Sequence, residues 1–315
     1  MAINILDADN EPRLAPELEL PAVFKADREA RDLVLPGFLA GTVGAMVSPG
    51  AAGKSFFALE AAMAVVAADA DLLAFDLEGH GDVLILSAED PVSELIQRVQ
   101  AIGDMLTPAA RDALTGSLSI RPVSRLNLMA GGWLSAVVKA GMGKRLIVLD
   151  TLSRVHRLDE NSNRDMVGVL GALESLADQT GAAVLFLHHV SKGAAASGSG
   201  DGQHAARGAS ALTDNARWGA SLTKMSKEEA KLLGELGAGQ AVGEDKRGYY
   251  VRFSVPKNNY GEPIPDRWFK RDQGGVLLPI ELTSAKQDRE PQSKRRGATE
   301  RPEHHDEAEW GVKFQ

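Results

Sequence analysis

The chain has 315 residues and a hydrophobic content of 44%, enough for the core of one large domain or two small ones. It contains no cysteine, which excludes disulfides, thiol chemistry and cysteine-type zinc sites. A formal net charge of −8 argues against a uniformly basic nucleic-acid binder, although a local basic lining stays open because the field that matters is that of the site.

Residues 1–32 are acidic, carry three prolines and show no sustained periodicity, which reads as a flexible arm able to pack against a neighbouring subunit. The N-terminus lacks the basic start and apolar run of a signal peptide, and no uncharged apolar stretch reaches about 18 residues. A soluble, cytoplasmic protein without a membrane span is the expectation. From Leu33 onward short apolar runs, Val83–Leu86 and Leu146–Leu149 among them, read as strands buried on both faces. Between the strands, helical spacing covers Ser55–Ala67, Val92–Met105 and Met166–Gln179. Strands alternating with helices predict an α/β fold with a mostly parallel sheet and helices on both faces. After Trp218 the strand-like stretches Tyr249–Val255 and Asp266–Arg271 suggest an antiparallel C-terminal extension. One domain over 33–283 and a charged, disordered tail over 284–315 complete the expected organisation.

The segment TVGAMVSPGAAGKSFFALEAAMAVVA runs strand, glycine-containing turn, helix. That is the context of a phosphate loop formed by Gly50, Ala51, Ala52, Gly53, Lys54, Ser55 and Phe56. Its backbone N–H groups wrap a phosphate, Lys54 reaches the outer phosphates of ATP, and the Ser55 hydroxyl sits on Mg²⁺. The strict pattern begins with glycine, whereas Ser48 stands there. A plain tight turn is the competing reading, but a lysine at a helix N-terminus opposes the helix dipole unless an anion is present.

Two strands end in acids. The first, Asp82–Ser87, is followed by Glu89, Asp90 and Pro91. Asp90 is expected as the cap of the next helix with proline after it. Glu89 is then left to polarise the water that attacks a γ-phosphate, or else it is a solvated loop residue. The second strand, RLIVLD, ends in Asp150, which at roughly one hundred residues beyond the loop has the form of an acid holding Mg²⁺ through water. A third apolar strand, Ala183–Leu187, runs into His188 and His189. Adjacent strand residues face opposite ways, so a shared metal is disfavoured. One imidazole sensing the γ-phosphate fits better, and bonding of the pair to backbone carbonyls is the alternative.

Residues 191–208, SKGAAASGSGDGQHAARG, carry no large apolar side chain and are longer than compact domains usually leave unstructured. Ser191, Lys192, His204 and Arg207 offer a loop able to hold a polymer backbone. Arg154, His156 and Arg157, after Asp150, lie at the same sheet edge, and contacts to phosphate and sugar are expected of both segments.

AGTVGAMVSPGAAGKS, SAEDP, VLDTLSRVH, FLHHVSKGAA, RGASALTDNARW and VPKNNYGEPIPDRWF, in this order, resemble the RepA-type hexameric plasmid replicative helicases, a branch of the RecA-like motor ATPases. The resemblance covers about residues 33 to 280. It implies a homo-hexameric ring acting on single-stranded DNA, with ATP and Mg²⁺ held between neighbours. It further implies Glu89 as catalytic acid, Asp150 as the metal-holding acid, His188 and His189 as the sensor motif, and Arg217 as the arginine reaching into the next subunit's site. Lys257 matches a trans-acting lysine at that nucleotide. Without the resemblance Arg217 is an ordinary sheet arginine. A RecA-like recombination or repair ATPase that does not unwind DNA is the alternative function. A small-molecule phosphotransferase leaves the 191–208 loop and Arg217 without a task.

Overall fold

A computed structural model describes residues 16–160, 162–189, 212 and 215–285. The charged tail beyond 285 and the loop holding Ser191, Lys192, His204 and Arg207 lie outside these residues.

A hairpin of β1 (Leu33–Leu35) and β2 (Phe38–Leu39) leads into β3 (Val43–Ser48), the loop, and α2 (Lys54–Val66), with a short α1 (Leu20–Val23) ahead of them. Next come β4 (Val83–Ser87), α3 (Val92–Met105), α4 (Pro108–Leu114), β5 (Leu118–Pro122), α5 (Trp133–Gly141), β6 (Leu146–Asp150), α6 (Asn163–Thr180) and β7 (Ala183–His189). The chain then adds β8 (Trp218–Lys224), β9 (Leu233–Glu235), β10 (Tyr250–Asn258), β11 (Arg267–Arg271), β12 (Leu277–Ile280) and β13 (Leu282–Ser284).

Among the described residues nine strands share one sheet in the order β12-β11-β10-β8-β3-β7-β6-β4-β5. From β8 to β5 neighbours are parallel, and β10, β11 and β12 extend the sheet antiparallel, as the sequence pattern predicts. Strands buried on both faces divide their side chains between two cores. Leu146 and Val148 of β6 join the core under α2 and α3, while Ile147 and Leu149 join the one under α5 and α6. Each core is continuous apolar surface removed from water, the main favourable term in folding.

Local chemistry sets the element ends. The Ser162 hydroxyl accepts from the Asp165 N–H at the start of α6, and Gly181, at φ +71°, closes its other end. Gly44 is required by packing, since a Cβ there would lie 2.7 Å from Phe38 and 2.8 Å from Trp218, whose rings stack at 4.8 Å. Two expectations change. Pro91, not Asp90, caps α3, and no side chain caps that helix, because the Asp90 carboxylate instead pairs with Arg98 two turns along. The first 32 residues are not all free: Asp32 pairs with Arg145 at 2.5 Å, and Arg31 donates to the Tyr260 carbonyl. Among the described residues no helix is long and apolar enough to cross a membrane.

Candidate nucleotide site

Open α/β sheets bind ligands at the carboxyl ends of their strands, and here β3, β4, β6 and β7 end side by side. Registers fix who meets whom: Ser48 lies opposite His189, and Ser87 opposite Asp150. Between Ser48 and Lys54 the chain turns sharply, with Ala51 at φ +59° and Gly53 at φ +101°. Ala51 is a non-glycine residue in the left-handed region, a strain of roughly 1 kcal/mol or more. Gly53 also has no room for a side chain, because a Cβ would lie 2.9 Å from Arg271 Nη2. Gly53 caps α2, so Lys54 and Ser55 open the helix whose free N–H groups face the loop.

A cavity of about 270 Å³ opens here, walled by the loop, Glu89, Arg98, His189 and Arg271. Lys54 is buried, and its Nζ lies 3.1 Å from His189 Nδ1. His189 Nε2 in turn lies 3.2 Å from both Glu89 oxygens. Burial lowers the Lys54 pKa from its ordinary value, opposed by the negative charge of Asp150, Glu89 and Asp90. A buried ammonium so placed is short of counter-charge, which a phosphate would supply. Asp150 is buried too, and burial raises its carboxyl pKa against a hydrogen bond from Ser55 and the charge of Lys54. Its Oδ1 is buried without a hydrogen-bond partner. The orphaned oxygen beside the Ser55 hydroxyl suits a hydrated divalent cation completed by phosphate oxygens and water. Among the described residues no three His, Asp or Glu side chains form a self-sufficient metal site.

The two adjacent histidines do face opposite ways. His189 looks into the cavity, whereas His188 is buried on the other side with its Nδ1 unpartnered and its pKa lowered by burial. The predicted residues therefore gather in part: Gly50–Phe56, Glu89, Asp150 and His189 meet, and His188 does not reach the cavity. Arg217 lies elsewhere. Its N–H donates to the Val43 carbonyl, at the start of β3, whereas the loop leaves from Ser48 at its end. Arg217 and Lys257 line a separate cleft of about 250 Å³ with Asn215, Asn259 and Glu174.

Arg154 and Arg157 are exposed on the turn after β6. His156, expected beside them as a polar handle, is buried, with its Nδ1 accepting from the Leu158 N–H at 3.2 Å and its Nε2 unpartnered. Val155 and His156 turn inward between the two arginines, so only the arginines point outward. Sequence reasoning missed Arg98 and Arg271. Arg98 pairs with Asp90 and lies 5.6 Å over the Phe56 ring, and its two-turn spacing from Asp90 was the available signal. Arg271 donates to the Ala51 carbonyl at 3.1 Å from across the extension, with no local signal in the sequence.

A phosphate loop on a sheet of this order defines a P-loop ATPase domain of the RecA-like fold. Residues 10–195 match the AAA domain family, more than half of the chain, and the chain belongs to that family. Its fold is similar to that of a solved helicase ATPase domain, at 14% identity and a TM-score of 0.55 over 83% of this chain and 96% of that one. It also matches the RadB recombinase at 14% identity and a TM-score of 0.49, over 78% of this chain and 93% of that one. The family match and the helicase-domain likeness support the RecA-like superfamily and do not single out its RepA-type branch.

Proposed function

We propose that this chain is the motor subunit of an ATP-driven DNA helicase, a ring of six copies that hydrolyses ATP at subunit interfaces and moves along single-stranded DNA. The observation that carries this reading is the division of the predicted catalytic residues between two ends of one strand. Lys54, Glu89 and His189 meet at the end of β3, while Arg217 and Lys257 share a cleft near its start. The five-residue offset from Val43 to Ser48 spans about 16 Å at strand rise, too far for Arg217 to serve its own loop. A neighbouring copy is the natural recipient.

On this reading the ATP phosphates lie on the loop N–H groups, and Lys54 Nζ exchanges His189 for a phosphate oxygen. Glu89 orients the attacking water, and His189, bridging Glu89 and Lys54, registers whether the outer phosphate is present. Ser55 and Asp150 would hold Mg²⁺, which neutralises charge on the transferring phosphoryl group. The neighbour's Arg217 stabilises the charge that builds in the transition state. Purified protein on a forked DNA duplex should displace one strand when ATP is present, and Glu89→Gln should not. ATP hydrolysis stimulated by DNA without any strand displacement would instead favour a recombination-type ATPase.

A further inference from the structure

We infer that Trp133 and Met129, held beside Arg154 and Arg157, form a stacking platform for the bases of single-stranded DNA; this rests on the DNA reading above. Trp133 opens α5 with 41% of its surface exposed, and Met129 stays 40% exposed. Large apolar side chains left in water this way, close in the chain, mark a surface that something covers.

The loop before α5 is built to hold them out. Leu126 and Leu128 are buried in the same core as Leu152 and Val155, and the Leu128 N–H donates to the Val155 carbonyl at 2.8 Å. That bond welds the loop to the turn carrying Arg154 and Arg157. Two tight turns follow, Ala130 N–H to Asn127 O and Trp133 N–H to Ala130 O, and fold the chain back at Trp133. Two anchored leucines thus fix the loop while its neighbours Met129 and Trp133 face solvent.

Charge favours a nucleic acid as the occupant. Exposed Arg125 lies on the loop, and exposed Arg154 and Arg157 on the turn bonded to it. The acids Asp159 and Glu160 come later in that turn, where the Asp159 N–H is bound by Asp165. Aromatic surface beside guanidinium groups suits a single strand, with bases on the ring and phosphates on the cations. The patch is also tied to the nucleotide site. Thr151 Oγ1 donates to the Leu187 carbonyl at 2.5 Å, and the Ala88 N–H to the Asp150 carbonyl at 2.6 Å. Movement at the ends of β6 and β7 therefore reaches the turn under the platform.

The test is the affinity of the full chain for labelled oligo-dT, read by anisotropy, for wild type, Trp133→Ala and Trp133→Phe. Trp133→Ala should bind about ten-fold more weakly and Trp133→Phe within about two-fold of wild type, as expected for loss and retention of a stacking face. The difference should vanish on an abasic strand, which offers no base to stack. Hydrolysis without DNA should be unchanged in both variants. Normal oligo-dT affinity of Trp133→Ala would overturn the platform alone. Weakened binding that comes with loss of assembly in sedimentation would also overturn it, and would make the face a contact between copies. Failure of the wild-type protein to bind oligo-dT at all would remove the platform together with the DNA reading beneath it.

Discussion

Three side chains in successive contact, Lys54, His189 and Glu89, give the nucleotide site its internal wiring. Lys54→Ala is expected to abolish hydrolysis with the fold retained, because a buried ammonium already short of partners is lost together with its phosphate contact. Glu89→Gln is expected to keep nucleotide binding but to slow turnover at least a hundred-fold, read in steady-state assays. A near-normal rate would pass the water-orienting role to Asp90 or His189. A fourth residue sits deeper along α2. Glu60 is fully buried, its Oε1 accepts from the Leu277 N–H at 3.0 Å, and its Oε2 has no partner. Burial pushes its carboxyl up to about 8, above the ordinary 4.5, so the folded chain keeps a proton that the unfolded chain releases. Stability should therefore be highest below the unfolded value and fall as pH rises through the window up to about 8. Thermal melts from about pH 5.5 to 8.5 should show Tm falling by more in wild type than in Glu60→Gln, which cannot ionise. Equal slopes would mean that Glu60 is not protonated in the fold.

At the scale of elements, the extension is fastened to the phosphate-loop helix by aromatic packing. Phe57 of α2 stacks on Phe253 of β10 at 4.8 Å and meets Phe269 of β11 edge-on at 5.9 Å. Phe57→Ala leaves a cavity between helix and extension and should cost about 3–5 kcal/mol. Loosening that joint should also free Arg271, which reaches from β11 to the Ala51 carbonyl, so nucleotide affinity should fall along with Tm. A drop in Tm with unchanged nucleotide affinity would show the two to be independent. How far these elements could be read in advance follows from what periodicity encodes. The helix over Val92–Met105 and the strands ending at Asp150 and His189 were legible, because apolar runs and amphipathic spacing are local signals. The loop, Glu89 and the opposite facing of His188 and His189 were legible for the same reason, since each is set by its own strand end. Asp90 misled, because aspartate before proline suits a cap as well as it suits a pair with Arg98. Arg271 and the aromatic joint were invisible, since residues more than 190 positions apart meet only once the sheet is closed. His156 was misread because its burial depends on the far side of the turn, which carries no pattern of its own.

At the scale of the whole molecule, the question is whether a site completes itself only in company. Arg217 lies at the wrong end of β3 to reach its own loop, so a single copy lacks a cation for the transition state. Arg217→Ala should bind ATP nearly as well as wild type yet turn over on the order of a thousand-fold more slowly. Mixing Arg217→Ala with Lys54→Ala, each inactive alone, then becomes informative. In a mixed ring an interface is complete when an Arg217→Ala copy supplies the loop and a Lys54→Ala neighbour supplies the arginine. With random assembly at equal proportions about one interface in four is complete, and activity scales as the product of the two fractions. Recovered hydrolysis should therefore rise and fall as a parabola across mixing ratios, peaking at equal amounts, if sites fire independently. Contaminating wild-type activity would instead vary linearly with one component. An Arg217→Ala protein that hydrolyses ATP at the normal rate would remove the shared-site mechanism, and Lys257, in the same cleft, would be the next residue to exchange between copies.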